Sequence, residues 1–180
     1  LILGVLVFSK YFYIASMTNY FTFFLMEKFS MSVQGAQYAL FAFLAASAAG
    51  TFIGGPVGDR IGRKYVIWGS ILGAAPFTLM LPYAGLTGTI VLAVVIGLVI
   101  SSAFSAILVY ATDLMPGKVG MIAGVFFGLM FGLGGLGSAF FGWLADRTSI
   151  EFIFRVSTLL PLLGVITGFL PNIELKRDEK

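Results

Sequence analysis

Six apolar runs, each about twenty residues or longer, follow one another along the chain with short polar breaks between them. They cover residues 1–26, 37–57, 65–86, 89–112, 119–145 and 150–170, and a charged tail occupies 172–180. An α-helix rises 1.5 Å per residue, so about 20 apolar residues cross the roughly 30 Å of hydrocarbon in a bilayer. The pattern therefore predicts an all-α membrane protein with six transmembrane helices. The breaks EKFSMSVQGA, GDRIGRK, GLTG, DLMPGK and DRTSI are too short to hold a soluble domain. Whatever this chain does, it does within its helices.

Composition sharpens that picture. Of 180 residues, 59% are hydrophobic and only 11% charged, where soluble domains run near 25%. The 23 glycines and 19 phenylalanines suit close helix packing and lipid-facing or interfacial rings. There is no cysteine and no histidine, which removes disulfides, thiolate nucleophiles, Cys/His zinc sites and histidine proton relays together. No metal or cofactor is expected. The net charge of +3 is scattered through short loops, so nucleic acid is not an expected partner; the lipid bilayer is. The chain opens at Leu1 inside an apolar run, without an initiator Met, and reads as a fragment rather than as a signal peptide.

Lys and Arg counts set the orientation of such a chain. If the loop after the second run is cytoplasmic, that side holds Arg60, Arg63, Lys64, Lys118, Lys176, Arg177 and Lys180. The opposite side holds only Lys28, Arg147 and Arg155. The bias predicts a cytoplasmic C-terminus.

One cation falls inside a run. Lys10 lies seventeen residues before Glu27, about 25 Å along a helix, and the nine residues before it add about 13 Å. Snorkelling to water is awkward from that depth, and an ammonium at mid-bilayer costs about 2.5–3.5 kcal/mol on insertion scales. At about 100° per residue, Met17, Tyr13, Tyr20, Ser9 and Ser16 fall within an arc of about 120° on one side of Lys10. Lipid cannot satisfy such an arc, so Lys10, Tyr13, Met17 and Tyr20 are expected to face an interior cavity and to receive an anionic small molecule. Pairing with a polar group in a missing part of the protein, or snorkelling, are the competing roles for Lys10. Ser105 joins the candidate cavity set, although small serines in spans more often serve helix contact. Asp113 reads as a solvated carboxylate at a helix end. Gly124, Gly128 and Gly132, four residues apart, predict a groove for close helix approach.

The string GGPVGDRIGRK, Gly54 to Lys64, resembles the G-x-x-x-D-R-x-G-R-K signature of the major facilitator superfamily, matched at Gly55, Asp59, Arg60, Gly62, Arg63 and Lys64. The resemblance implies a cytoplasmic gate loop between the second and third helices of a six-helix half, in which Asp59 caps a helix of a facing domain. Bare anchoring of a loop is the alternative. The fifth run ends in GWLADR, an echo of GPVGDR at the end of the second. Two such ends on opposite faces fit the three-plus-three inverted repeat of that superfamily. The runs FSKYFYIAS, GRKYVIWGSILGAAPFTLMLPYA, SAFSAILVYATDLMPG and GLGGLGSAFFGWLADRTSIE look like the C-terminal half of bacterial fosmidomycin-resistance efflux proteins. That resemblance implies a proton-driven exporter in the bacterial inner membrane, with a missing N-terminal six-helix half as partner; the lack of a carboxylate deep in any run puts the expected coupling acid in that half. A six-helix protein acting as a homodimeric transporter or pore is the alternative. A channel would want a repeated filter or rings of charge, and an enzyme would want converging acids or a metal site within the spans; the sequence offers neither.

Overall fold

The structure, a computed structural model, describes residues 2–114 and 117–169. Among these residues it is helical throughout its regular elements: α1 (Ile2–Phe29), α2 (Val33–Ile61), α3 (Arg63–Met80), α4 (Leu86–Ser101), α5 (Ala103–Leu114), α6 (Val119–Ala145) and α7 (Ile150–Ser157). Two 3-10 segments, Leu81–Tyr83 and Leu160–Phe169, follow α3 and α7. Among the described residues, four helical stretches are long and apolar enough to cross a membrane: Val33–Ile61, Arg63–Tyr83, Leu86–Asp113 and Val119–Ala145. The 28 residues of α1 match these in length, but Lys10, Asn19 and several hydroxyls dilute its apolar character. The charged tail expected at 172–180 lies outside the described residues.

Each departure from a straight helix has a local cause. The fourth apolar run is two helices, broken at Ser102. There the Ser102 hydroxyl donates to the Val99 carbonyl at 2.7 Å and also meets the Ser70 hydroxyl. Hydroxyl groups bonding back to the preceding turn bend helices in this way. The sixth run tightens into a 3-10 segment at Leu160, where Pro161 has no N–H to continue an α-helical ladder. Two helix starts are capped by side chains: at α2, Ser32 Oγ accepts from the Gly35 N–H at 3.2 Å, and at α7, Ser149 Oγ from the Phe152 N–H at 3.2 Å.

Small residues set the closest approach in the fold. A Cβ added at Gly50 would stand 2.1 Å from the Leu98 carbonyl oxygen, and one at Gly54 would stand 2.1 Å from that of Ser102. From the other side, a Cβ on Gly97 would meet the Phe43 carbonyl oxygen at 2.7 Å. So α2 and α4 run backbone against backbone, and Thr51 Oγ1 reaches across to the Ser101 carbonyl at 3.4 Å. Around that pair, one buried cluster joins Tyr13, Met17, Phe21 and Phe24 of α1 to Phe43, Ile96 and Phe154. A second joins Leu6 and Val7 to Ile67, Ile71, Ile107 and Met130. By contrast, Phe41, Phe52 and Phe131 are 69%, 82% and 79% exposed, so broad apolar faces of α2 and α6 are left uncovered by this chain.

The backbone contact yields a direct test. Gly54→Val should lower the thermal unfolding midpoint of the purified protein, with a cost of at least about 1–3 kcal/mol from overpacking. An unchanged midpoint would contradict the α2–α4 approach.

Candidate transport site

Residues of α1, α5 and α6 line an open cleft of about 520 Å³. The first helix presents Tyr11, Ile14, Ala15, Thr18 and Asn19 to it, a set spaced three and four residues apart and therefore on one face. Phe104 comes from α5. Phe127, Met130, Phe131, Gly134, Gly135 and Ser138 come from α6. That helix is held to α1 by hydrogen bonds at one end of the cleft. The Asn19 amide donates to Ser138 Oγ at 2.9 Å, the Tyr20 hydroxyl donates to the Ser138 carbonyl at 2.7 Å, and Ser138 Oγ donates to the Gly134 carbonyl at 2.9 Å. Gly137 lets α6 approach Phe12 and Ala15, since a Cβ there would stand 3.2 Å from that of Ala15.

Lys10, on the same helix, is not among the residues that line the cleft. Only 1% of it is exposed, and it is the one charged side chain in the buried set among the described residues. Its Nζ has no hydrogen-bond partner among the described groups. Two rings that line the cleft flank it, Tyr11 with its centroid at 5.5 Å and Phe104 at 5.7 Å. Ring faces attract a cation but leave its N–H bonds unfilled.

The other residues expected at the cavity divide three ways. Tyr13 and Met17 are fully buried in the cluster that α1 makes with α2, α3 and α4, on the side of α1 away from the cleft. Tyr20 touches the cleft wall through its bond to Ser138. Ser105 lines a separate pocket of about 60 Å³ together with Gly55, Gly58, Asp59, Arg63, Ala106 and Val109. The serines of the expected arc are satisfied internally: Ser9 Oγ donates to the Leu160 carbonyl, and Ser16 Oγ to the Tyr13 carbonyl at 2.7 Å. Missing from the sequence reading was the opposite face of α1. Asn19, an amide inside an apolar run, was the available signal for it.

At the α2–α3 turn Gly62 takes a φ of 96° and a ψ of 134°, a conformation that suits glycine, and lets the two helices follow without a linker. Arg63, 17% exposed, forms an ion pair with Asp113 at the end of α5 and lies 3.6 Å from Asp59. Asp113 is therefore a partner of the signature loop rather than a merely solvated helix end. Arg60 is exposed, and Lys64 is half-buried. Gly124, Gly128 and Gly132 lie on the exposed face of α6, with no atom within 4 Å of where a Cβ would stand.

Residues 3–180 match the Major Facilitator Superfamily. The chain belongs to that superfamily. Within it, the chain is 64% identical over 171 residues to the fosmidomycin resistance protein of Escherichia coli (strain K12), covering 95% of this chain and 42% of that relative. It is 40% identical over 160 residues to the uncharacterized MFS-type transporter YfnC of Bacillus subtilis (strain 168), covering 89% of this chain and 39% of that one. The chain thus spans about two fifths of the length of these curated relatives. No solved structure matches it significantly. Superfamily membership fits the long apolar helices.

The ion pair at the signature loop makes a measurable prediction. Arg63→Ala and Asp113→Ala should each lower the unfolding midpoint, while the double variant loses less than the sum, with a coupling of about 1 kcal/mol for a partly exposed pair. Strict additivity would show that the pair contributes nothing.

Proposed function

We propose that this chain is the C-terminal half of a secondary transporter, with six helices in a three-plus-three inverted repeat, that exports fosmidomycin and other small anions from bacteria by proton-driven alternating access. The carrying observation is the Lys10 ammonium, buried, without a hydrogen-bond partner and flanked by two rings of the cleft wall. A buried charge is costly to maintain unless function uses it, and an oxyanion would supply the charge-assisted hydrogen bonds the ammonium lacks. The name of the Escherichia coli relative supports a phosphonate as that anion.

In this reading Lys10 binds the acid, and Tyr20 holds α6 to α1 farther along the helix through the Ser138 carbonyl. Tyr13, Met17 and Ser105 support the site from behind, through the packing of α1 and α5. The turn at Gly55, Asp59, Arg60, Gly62, Arg63 and Lys64 is the cytoplasmic gate, and the C-terminus is cytoplasmic, as the bias of basic residues favours. The other six helices cover the apolar faces of α2 and α6, including the open groove of Gly124, Gly128 and Gly132. No carboxylate lines the cleft among the described residues, which favours a proton-carrying acid in the other half.

In cells producing the full-length transporter, Lys10→Gln at equal membrane abundance should cut fosmidomycin resistance about tenfold or more, the effect of losing a charged hydrogen bond. A protonophore should raise drug accumulation in wild-type cells to the level of cells lacking the transporter. Resistance indifferent to Lys10 would refute the anion site; accumulation indifferent to the protonophore would refute proton coupling.

A further inference from the structure

The lining of the α1–α5–α6 cleft decides which molecules it can hold. Among the described residues, no lysine, arginine or carboxylate lines it. Lys10 Nζ lies 5.5 Å from the Tyr11 ring centroid and 5.7 Å from that of Phe104, but it is buried and stays outside the space. A cation in the cleft would therefore have a like charge beyond those rings, and an anion would give up water without gaining a charged hydrogen bond. An uncharged molecule loses least on entering. Phe104, Phe127 and Phe131 offer it rings, and Gly134 and Gly135 leave room beside them, with no atom within 4 Å of where a Cβ would stand.

Asn19 adds direction to this apolar wall. Its side-chain amide donates to the Ala15 carbonyl and to Ser138 Oγ, both at 2.9 Å. The Ala15 carbonyl can only accept, which fixes the nitrogen end of the amide and leaves Oδ1 as an acceptor. Among the described residues no donor is bonded to that oxygen, and Asn19 is exposed on the cleft wall. The neighbouring hydroxyl protons are committed as well, Thr18 Oγ1 to the Ile14 carbonyl at 2.7 Å and Ser138 Oγ to the Gly134 carbonyl at 2.9 Å. This end of the cleft thus offers lone pairs and no spare proton. We propose that the cleft binds uncharged aromatic molecules that carry an N–H or O–H donor, with the ring against Phe127 and Phe131 and the donor on Asn19 Oδ1. Its volume of about 520 Å³ is that of a drug-like ligand site. In the transporter proposed above, the other six helices roof this recess and make it a chamber. The ligand is distinct from the anion assigned to Lys10, so the two readings stand or fall separately.

The test is calorimetric binding to the purified full-length protein in lipid nanodiscs, with the heat of empty nanodiscs subtracted. The ligands are 2-naphthol, its methyl ether, 2-naphthalenesulfonate and fosmidomycin. The naphthol should bind about fivefold tighter than the ether, the worth of one hydrogen bond, and about tenfold or more tighter than the sulfonate, which must shed its hydration. Asn19→Leu should bring the naphthol and the ether together, and Phe131→Ala should weaken both. Equal wild-type affinity for naphthol and ether overturns the proposal, as does a sulfonate that binds as tightly as the naphthol, or a naphthol that does not bind; these comparisons need no variant to fold. A naphthol preference that survives Asn19→Leu overturns it as well. The fosmidomycin arm separates the two readings. Naphthol binding without fosmidomycin binding removes the drug assignment and keeps this site; fosmidomycin binding without naphthol binding does the reverse.

Discussion

Polar groups inside an apolar helical bundle must find their partners within the bundle, and that constraint organises this molecule. Ser16, Thr18, Thr51, Thr78, Ser102 and Ser138 each donate to a carbonyl three or four residues back on their own helix. Such bonds let hydroxyls sit at buried positions without calling in water, and at Ser102 the same device bends the rod. Helices satisfied in this way can approach closely, and small residues at Gly50, Gly54 and Gly97 turn the approach of α2 and α4 into backbone contact. Tyr13, Ser47 and Ser105 leave a buried hydroxyl unpaired, and Lys10 is the charged exception that the scheme cannot absorb. No carbonyl takes its hydrogens, and aromatic faces are what it has.

Much of this was legible from the chain alone. Apolar run length gave helices, the GDRIGRK string pointed to the superfamily, and the lone lysine inside an oily run marked the place where chemistry gathers. Orientation around α1 was harder, because both of its faces carry aromatics and hydroxyls. A hydroxyl satisfied by its own helix looks, in sequence, the same as one waiting for a ligand. Ser9, Ser16 and Tyr13 drew the expected cavity to one side, while Tyr11, Ile14, Thr18 and Asn19 line the cleft on the other.

Glycine spacing misleads for a related reason. The regular series Gly124, Gly128 and Gly132 looks like a packing groove, yet within this chain nothing fills it. The set Gly50, Gly54 and Gly97, drawn from two helices, includes the tightest glycine positions among the described residues. Spacing along one helix reveals a bare stripe, and only the neighbour shows whether the stripe is used. Asp113 makes the same point with charge, since its ion pair with Arg63 joins residues fifty positions apart.

Two contacts near opposite ends of α1 act together mechanically. Ser9 is fastened to the Leu160 carbonyl, and Lys28 to the Pro82 carbonyl, with the Phe24 and Phe29 rings beside the ammonium at 5.2 Å and 5.3 Å. A rod pinned at two levels cannot slide or spin independently of the frame to which it is pinned. Force applied at Lys10, which lies between the pins, is therefore passed to the 3-10 segments after α3 and α7 rather than spent in moving α1 alone.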